Sequence, residues 1–267
     1  MTIKTLNDYN IANKKILVRA DLNVPIENGK ISDISRLISA TPTIKTIQSL
    51  GGVTILISHF GRPDGLYKEE LSLKQVVPEL ENLLNCPVKF SSELVGKNVI
   101  KKIDNLIGGE ILLLENTRFF AEEEMNDESF SKELSKLGDI FCNDAFSAAH
   151  RAHASTVGVS KLLPNCAGQL MKKEIDTLEN VLKKPQKPLT AVVGGAKIST
   201  KLNLLLNLIK KVDYLIIGGG MANTFLFAKG LQIGKSLCEK NLKETSQRII
   251  SEAHENKCEI ILPHDVV

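Results

Sequence analysis

Arginine is scarce in this chain, and its positions suggest a shared chemical task. The 267 residues include 34 lysines and arginines, of which only six are arginine. Five of the six precede residue 152, and they are Arg19, Arg36, Arg62, Arg118 and Arg151. The planar guanidinium grips carboxylate or phosphate with parallel hydrogen bonds, whereas lysine supplies a mobile point charge. The pattern therefore predicts a site for a small, multiply charged anion.

Polar residues come directly after four apolar runs in the first half of the chain, which predicts one ligand cleft. The four polar segments are residues 19–23, 58–63, 115–118 and 143–153. In an open α/β sheet, ligands bind beyond the carboxyl ends of the strands, so the four segments are expected to converge. Arg19 lies almost within its strand, and for this residue we prefer a structural ion pair.

Taken singly, these polar residues also have ordinary structural explanations. Asp21 and Asn23 could be turn residues, and His59 could be a satisfied core histidine. Arg118 could be an ion-pair partner of Glu115. A structural role does not predict that scarce arginines gather on one sheet edge, so the conjunction favours binding.

The second half carries two glycine turns after successive apolar runs, at residues 193–201 and 218–223. Glycine lets backbone amides at the start of a helix approach phosphate, and nearby lysines add positive charge. Neither turn is a Walker A loop, which needs four residues between its first glycine and the Gly-Lys pair. The dinucleotide fingerprint G-x-G-x-x-G fits poorly as well, because Asn223 replaces its third glycine and Glu239 is only a loosely placed candidate for binding a ribose. Either turn could merely permit close packing, but two in succession favour a nucleotide site.

Short apolar runs alternate with amphipathic segments, which predicts an α/β fold with doubly wound parallel sheets. Continuous apolarity is typical of strands covered on both faces by helices. Strands are predicted at residues 16–18, 53–57, 88–90, 111–114, 140–142, 189–193, 214–217 and 260–262. Helices are predicted at residues 36–50, 73–84, 128–137, 172–182, 200–209 and 242–254. Gly51, Gly52 and Gly138 are predicted C-terminal helix stops.

A cluster of prolines and lysines at residues 183–188 comes after a helical segment and predicts a domain boundary. We predict a first domain over residues 1–168, a hinge helix over 169–184 and a second domain over 185–267. A surface loop inside one large sheet is the alternative.

Composition argues against several classes of partner. A net charge of +3 and an aromatic content of 4% do not favour nucleic acid. Apolar runs are too short for a bilayer and the N-terminus is polar, so we expect no membrane partner and a cytoplasmic location.

Five cysteines without a C-x-x-C pair fit reduced thiols. His150 and His153 have a spacing usable for metal, but no carboxylate motif supports zinc, and no metal site is predicted.

These motifs resemble those of the phosphoglycerate kinase family, from the first strand to Val267. The motifs are RADLNVP (19–25), SHFGRP (58–63), LENTRF (114–119), NDAF (143–146), AHRAH (149–153), GGAK (194–197) and GGGMA (218–222). The resemblance implies two Rossmann-like domains joined by a hinge helix. It also implies reversible phosphoryl transfer between 1,3-bisphosphoglycerate and ADP, giving 3-phosphoglycerate and ATP, with Mg²⁺ bound to the nucleotide. The full-length protein would be a monomer.

The resemblance assigns roles to individual residues. The substrate site is implied at Asp21, Asn23, Arg36, His59, Arg62, Arg118 and Arg151. The nucleotide site is implied at Gly194, Lys197, Lys201, Gly219 and Gly220. Arg36 and Lys197 are implied to be catalytic, since in-line transfer between bound anions needs positioning and charge neutralisation rather than a nucleophile.

Members of the family extend beyond the segment matched here, and this sets further expectations. A ribose-binding glutamate, another glycine-rich loop and a metal-holding aspartate have no counterpart in the chain. We therefore expect an incomplete second domain with uncovered sheet and helix surfaces, 3-phosphoglycerate binding, weak or no nucleotide binding, and no turnover by this chain alone. The alternatives are a non-catalytic phosphate-binding α/β module and a nicotinamide oxidoreductase, which the poor glycine fingerprint disfavours.

Overall fold

The computed structural model describes residues 3–183 and 185–265, and the chain divides into two compact units. Unit 1 is Met1–Asp176 and unit 2 is Thr177–Val267. The division falls inside the segment predicted as a hinge helix. Lys184 at the end of that segment and the last two residues of the predicted second domain lie outside the described residues.

Unit 1 contains a six-stranded parallel sheet. The unit's strands are β1 (Lys15–Arg19), β2 (Ile26–Glu27), β3 (Lys30–Ile31), β4 (Val53–Ile57), β5 (Lys89–Ser91), β6 (Ile111–Leu114), β7 (Ile140–Asn143) and β8 (Asn165–Ala167). Strands β2 and β3 form a separate antiparallel hairpin, and the others lie in the order β5-β6-β4-β1-β7-β8. The helices are α1 (Ser35–Ser49), α2 (Val77–Leu84), α3 (Lys97–Asp104), α4 (Ala121–Glu124), α5 (Glu128–Ser135) and α6 (Gln169–Lys183), which continues into unit 2.

Alternate residues of the central strands enter two hydrophobic cores on opposite faces of the sheet. Ile16 and Val18 of β1 belong to the core that includes Leu37 of α1 and residues of α2. Leu17, between them, belongs to the other core, which includes residues of α3 and α5 such as Ile103. Because both faces are covered, consecutive residues in the middle of such a strand are apolar, as residues 16–18 of β1 are. The predicted doubly wound α/β fold is confirmed.

The end of α1 shows why one predicted helix stop was right. Gly51 has φ +72°, in the left-handed region that glycine adopts without strain. The amide of Gly52 then donates to the carbonyl of Ile47 at 2.9 Å, which closes a Schellman motif.

Gly138 has a different role from the predicted helix stop. It does not have a left-handed φ. A Cβ at this position would lie 2.9 Å from Leu17 Cβ and 3.1 Å from the carbonyl oxygen of Lys15. Gly138 therefore allows the chain to pass close against β1.

Unit 2 has a three-stranded parallel sheet among its described residues. Its strands are β9 (Thr190–Gly194), β10 (Tyr214–Gly218) and β11 (Glu259–Ile261), in the order β11-β10-β9. Its helices are α7 (Leu202–Leu208), α8 (Gly220–Ala228) and α9 (Lys243–Glu255). Phe225 and Ile249 pack against Leu215 of the central strand in one core.

Strand β9 departs from the prediction of a strand covered on both faces. Val192 is 73% exposed, whereas the next residue, Val193, is buried. A strand with one uncovered face usually alternates apolar and polar residues, but β9 has consecutive apolar residues at 191–193 although Val192 is exposed.

All eight predicted strands and all six predicted helices overlap observed elements, but short elements were missed. The helix α3 was missed because only Val99 and Ile103 of its eight residues are buried, among several lysines. Strands β2, β3 and β8 have two or three residues each, too few for a periodic pattern. None of the helices in the described part of the chain is long and apolar enough to cross a membrane.

Replacing Gly138 with alanine is expected to destabilise unit 1 by about 1–3 kcal/mol, because the added methyl group would overlap Leu17 and crowd the backbone of β1. Urea unfolding followed by far-UV circular dichroism measures the change. Gly218→Ala is the control, since a Cβ there meets no atom within 4 Å. Equal midpoints for Gly138→Ala and the unaltered chain would contradict the packing role.

Candidate functional site

The topology of unit 1 creates a crevice between β1 and β7. From β1 the chain crosses through α1 to β4 on one side, whereas from β7 it passes to β8 on the other. Neighbouring strands whose connections leave in opposite directions open a crevice at their carboxyl ends. Asp21 and Asn23 come after β1, His59 and Arg62 after β4, Arg118 after β6, and Arg151 after β7. All six therefore lie at one edge of the sheet.

Asp21 and Arg36 form the ion pair nearest to the end of β1. Arg36 Nη1 donates to both carboxylate oxygens of Asp21, at 3.1 and 3.0 Å. Burial alone would raise the pKa of Asp21, but hydrogen bonds from the Ser147 hydroxyl and the Asn23 amide, together with the Arg36 charge, lower it. The side chain of Arg36 is 48% exposed, and only Nη1 is engaged by Asp21. Its other N–H groups can face a ligand.

Two asparagines hold the loop that carries His59 and Arg62. Asn23 Oδ1 accepts from the Gly61 amide at 2.8 Å. Asn116 is fully buried, and its side-chain amide bonds both the N–H and the carbonyl of Phe60, at 3.1 and 2.7 Å. The predicted site included Asn23 but not Asn116. Asn116 was missed because it holds the loop through hydrogen bonds to Phe60, which is distant in sequence.

Arg118 is buried at the carboxyl edge and is only partly satisfied. Its Nη1 donates to the Gly61 carbonyl at 2.8 Å, and its Nε lies 3.0 Å from Glu124 Oε1 without hydrogen-bond geometry. Burial lowers the pKa of Arg118, as do the charges of Arg151 and Arg62, against an opposing effect of Glu124. The alternative ion pair with Glu115 is wrong. The Glu115 carboxylate instead accepts from Ser72 and from the amide of Leu73.

Arg62 and Arg151 complete a group of three arginines around Arg118. Arg62 is exposed and Arg151 half-buried. Neither guanidinium has a hydrogen bond or ion pair within residues 3–183 and 185–265. Their charges reach Arg118, and Arg151 also acts on His59. The group therefore carries positive charge that the protein itself does not neutralise.

His59 is a neutral group inside this basic environment. Its Nδ1 lies 3.1 Å from Arg19 Nη2. Burial lowers the pKa of His59 to about 3, and the charges of Arg19, Arg118 and Arg151 act in the same direction against Asp21. The imidazole is therefore uncharged at neutral pH.

The structural ion pair predicted for Arg19 is wrong, because the direct partners of its guanidinium are uncharged. Its Nε donates to the Ser155 hydroxyl at 2.9 Å, and its Nη1 donates to the Ala20 carbonyl at 2.6 Å. Among the residues described, no carboxylate contacts this guanidinium directly. The negative charge is supplied one step away by Glu123, which is bound to Ser155.

Asp144, at the end of β7, was missed as a site residue and anchors α6. Its Oδ1 accepts from the Met171 amide at 3.1 Å, while its Oδ2 is buried without a partner. Burial raises the pKa of Asp144 to about 6, although hydrogen bonds from Thr43, Met171 and Leu170 oppose the shift. The sequence shows an ordinary Asn-Asp pair after a strand, with no sign of this burial.

The glycines of unit 2 bring two loops close together. Gly219 has φ +66°, and a Cβ there would lie 3.0 Å from the Gly195 carbonyl oxygen. A Cβ at Gly220 would lie 3.1 Å from the Ala196 carbonyl oxygen. Gly194 has only ordinary contacts, the nearest at 3.8 Å. Close packing thus explains Gly219 and Gly220 without a ligand.

The two glycine turns lead into different local structures. Gly219 directly precedes α8, as predicted, whereas α7 begins only at Leu202, so residues 195–201 form a loop rather than a tight strand-to-helix turn. In this loop Lys197 is exposed, and the Lys201 side chain passes beside Gly195.

The carboxylate of Glu239 is already occupied, which argues against the ribose interpretation. It accepts from the Ser199 hydroxyl at 2.6 Å and from the Ser199 amide at 3.0 Å. These hydrogen bonds, with a contribution from Lys197, lower the pKa of Glu239.

No group of three or more His, Cys, Asp or Glu side chains is placed to hold a metal ion in the described ranges. His150 is exposed, and His153 Nδ1 lies 3.8 Å from Glu123 Oε1. Mg²⁺ is usually held by one or two carboxylates and by phosphate oxygens of its nucleotide. The carboxylate beside the glycine loops, Glu239, is bound by Ser199, so these residues do not fit a Mg²⁺ site.

The fold is that of an α/β protein with a cluster of arginines at the sheet edge of unit 1 and two glycine loops in unit 2. A family model described as phosphoglycerate kinase matches residues 6–267. The chain belongs to the phosphoglycerate kinase family.

Individual relatives agree with this assignment. The phosphoglycerate kinase of Ruegeria pomeroyi is 53% identical over 264 residues, which are 99% of this chain and 66% of the relative. The solved structure of phosphoglycerate kinase from Coxiella burnetii matches with a TM-score of 0.85 at 41% identity, over 98% of this chain and 66% of its own. The solved structure of phosphoglycerate kinase from Pyrococcus horikoshii matches with a TM-score of 0.81 at 31% identity, over 97% of this chain and 67% of its own. The chain thus spans about two thirds of the length of these relatives.

The raised pKa of Asp144 predicts a component of stability that is lost as pH rises. A carboxyl group with a folded-state pKa of about 6 and an unfolded value of 3.8 binds its proton more tightly in the folded state. This contribution is complete below pH 4 and is lost as pH rises through 6. Relative to Asp144→Asn, the unaltered chain should lose about 2 kcal/mol of unfolding free energy between pH 4 and 7.

Urea titrations of both proteins across this pH range make the measurement. Asp64→Asn, at an exposed loop position, controls for the loss of one charge. A difference between the unaltered chain and Asp144→Asn that does not change with pH would show that Asp144 is not held in a protonation-sensitive environment.

Proposed function

We propose that unit 1 binds 3-phosphoglycerate or 1,3-bisphosphoglycerate, and that the protein transfers a phosphoryl group reversibly between 1,3-bisphosphoglycerate and ADP. The products are 3-phosphoglycerate and ATP, the reaction of phosphoglycerate kinase in glycolysis. Membership of the family supports the proposal. The observation that carries it is the unneutralised group formed by Arg62, Arg118 and Arg151 at the carboxyl edge of the sheet.

The arginine group suits a phosphate better than a carboxylate. Three guanidinium groups held near one another repel, and a dianionic phosphate with three acceptor oxygens relieves this repulsion while it accepts several charge-assisted hydrogen bonds. Arg118 is already fixed by the Gly61 carbonyl, so it loses little conformational freedom when it binds. Arg62 and Arg151 are free to adjust.

Arg36 is suited to a second anionic group of the same substrate. Asp21 fixes one terminal nitrogen and leaves the rest of the guanidinium to face a ligand. We propose that Arg36 faces the reacting end of the substrate, as the resemblance to the family implies. It stays a prediction that Arg36 and Lys197 both stabilise the transferring phosphoryl group. The predicted hinge role of residues 169–184 is likewise untested.

For unit 2 we propose binding of ADP or ATP phosphates at the glycine loops, with Lys197 and Lys201 as cationic ligands and Gly194, Gly219 and Gly220 close to the nucleotide. Both lysines lie on the loop after β9, near the approach of Gly219 to Gly195. The described residues provide no ligand set for Mg²⁺, so no step is assigned to the metal. We therefore propose that this chain binds nucleotide weakly.

A cytoplasmic location and a monomeric full-length protein belong to the same proposal. All five cysteines are free thiols, three of them buried, which is compatible with a reducing compartment.

Arg62→Ala and Arg151→Ala should each weaken 3-phosphoglycerate binding about tenfold or more, because each change removes charge-assisted hydrogen bonds to the phosphate. Isothermal titration calorimetry on the whole chain measures the affinities. Arg248→Ala is the matched control, since Arg248 lies on α9 in unit 2, is exposed and pairs with Glu252. If all three variants bind alike, the arginine group is not the substrate site.

The same calorimeter tests the nucleotide half. MgADP should bind the chain far more weakly than 3-phosphoglycerate does, and a coupled assay with 3-phosphoglycerate and MgATP should show little or no turnover. Tight MgADP binding would contradict the proposal that the described loops are insufficient for the nucleotide.

A further inference from the structure

A buried series of polar groups leads from Glu123 to His59. The Glu123 carboxylate, fully buried, accepts from the Ser155 amide at 2.9 Å and from the Ser155 hydroxyl. The Ser155 oxygen accepts from Arg19 Nε at 2.9 Å. Arg19 is also buried, and its Nη2 lies 3.1 Å from His59 Nδ1.

The chemistry of the groups at each step fixes every proton in this series. A carboxylate only accepts, so the single hydroxyl hydrogen of Ser155 is directed to Glu123. A guanidinium only donates, so both the Ser155 oxygen and His59 Nδ1 must accept from Arg19. A neutral imidazole carries one N–H, and in His59 that proton must lie on Nε2.

The opposite side of the ring is available to a ligand. Nε2 has no hydrogen-bond partner among residues 3–183 and 185–265, yet it is not among the buried unpartnered atoms. It is therefore open to solvent at the edge where Arg118 and Arg151 lie close enough for their charges to act on His59.

The surroundings oppose a positive charge on the ring. The charged groups that act on His59 are Arg19, Arg118 and Arg151, which disfavour the imidazolium, and Asp21, which favours it. Burial acts with the arginines and is the largest effect. Protonation of Nδ1 would also place two donors against each other at Arg19.

We propose that Arg19, Ser155 and Glu123 are positioning residues that hold His59 as the neutral Nε2–H tautomer, which donates one hydrogen bond to the phosphorylated substrate. This role rests on the proposed function of unit 1. Arg19, the arginine left outside the predicted site, thus acts on the substrate through His59. Because the donor is neutral, its contribution to binding does not change between pH 5 and 8.

Ring ¹⁵N–¹H correlation spectra of the whole chain without substrate test the tautomer directly, with His59→Gln to assign the signals. We expect a protonated Nε2 and an unprotonated Nδ1 at pH 7, with no titration of His59 above about pH 5. A protonated Nδ1, or a doubly protonated ring at pH 7, would overturn the proposal. The measurement needs no substrate, so it is independent of whether 3-phosphoglycerate binds.

Ser155→Ala tests the positioning role, because it removes the link between Arg19 and Glu123 while keeping both charges. We expect a mixture of His59 tautomers and a loss of about tenfold in 3-phosphoglycerate affinity, with a new pH dependence between pH 5 and 7. Ser160→Ala is the control, since its hydroxyl donates only to the nearby Val157 carbonyl.

Arg19→Lys is a second variant, since lysine keeps the charge but cannot reach Ser155 and His59 with a planar fork. An unchanged tautomer with unchanged pH dependence of binding in both variants would show that the series is only structural. If the unaltered chain shows the expected tautomer but fails to bind 3-phosphoglycerate, the proposed function is wrong while the tautomer assignment stands.

Discussion

Mutual repulsion among arginines at one edge of the unit 1 sheet is the constraint that the surrounding structure must counteract. Arg62, Arg118 and Arg151 lie within electrostatic range of one another, and Glu124 is the carboxylate beside them. Such a group is unfavourable in the free protein and favourable when an anion is bound, so it must be held by other parts of the fold. In the proposed function, relief of this repulsion by a bound anion contributes to the binding free energy.

The scaffold supplies that restraint in two ways. The parallel sheet, covered on both faces by separate cores, sends the carboxyl end of each strand to the same edge. Buried amides and carboxylates then fix the loops beyond the strands: Asn116 bonds the backbone of Phe60, and Asp21 holds Arg36. Side chains built on rigid elements with satisfied partners lose little freedom on binding. We therefore expect the proposed substrate to bind without a large change in these loops.

Much of this arrangement was predictable because it depends on local pattern. Apolar runs identified the strands, and Gly51 marked the end of a helix because its φ demands glycine. The predictions failed where distant contacts decide the outcome. The ion pair expected for Arg19 is replaced by Ser155 and Glu123, more than one hundred residues away, and Gly138 is required by the side chain of Leu17 rather than by its own φ. The uncovered face of β9 and the buried oxygen of Asp144 likewise have no signature in local sequence.

In the proposed function, the arginine group in unit 1 binds the phosphate of a small phosphorylated acid. A crystal structure of this chain grown with 3-phosphoglycerate tests it most directly. We predict that the phosphate is bonded to Arg62, Arg118 and Arg151. We also expect Arg36 to face the other end of the molecule and His59 Nε2 to lie within hydrogen-bond distance of a substrate oxygen. Substrate bound at the glycine loops of unit 2, with the arginine group empty, would contradict it.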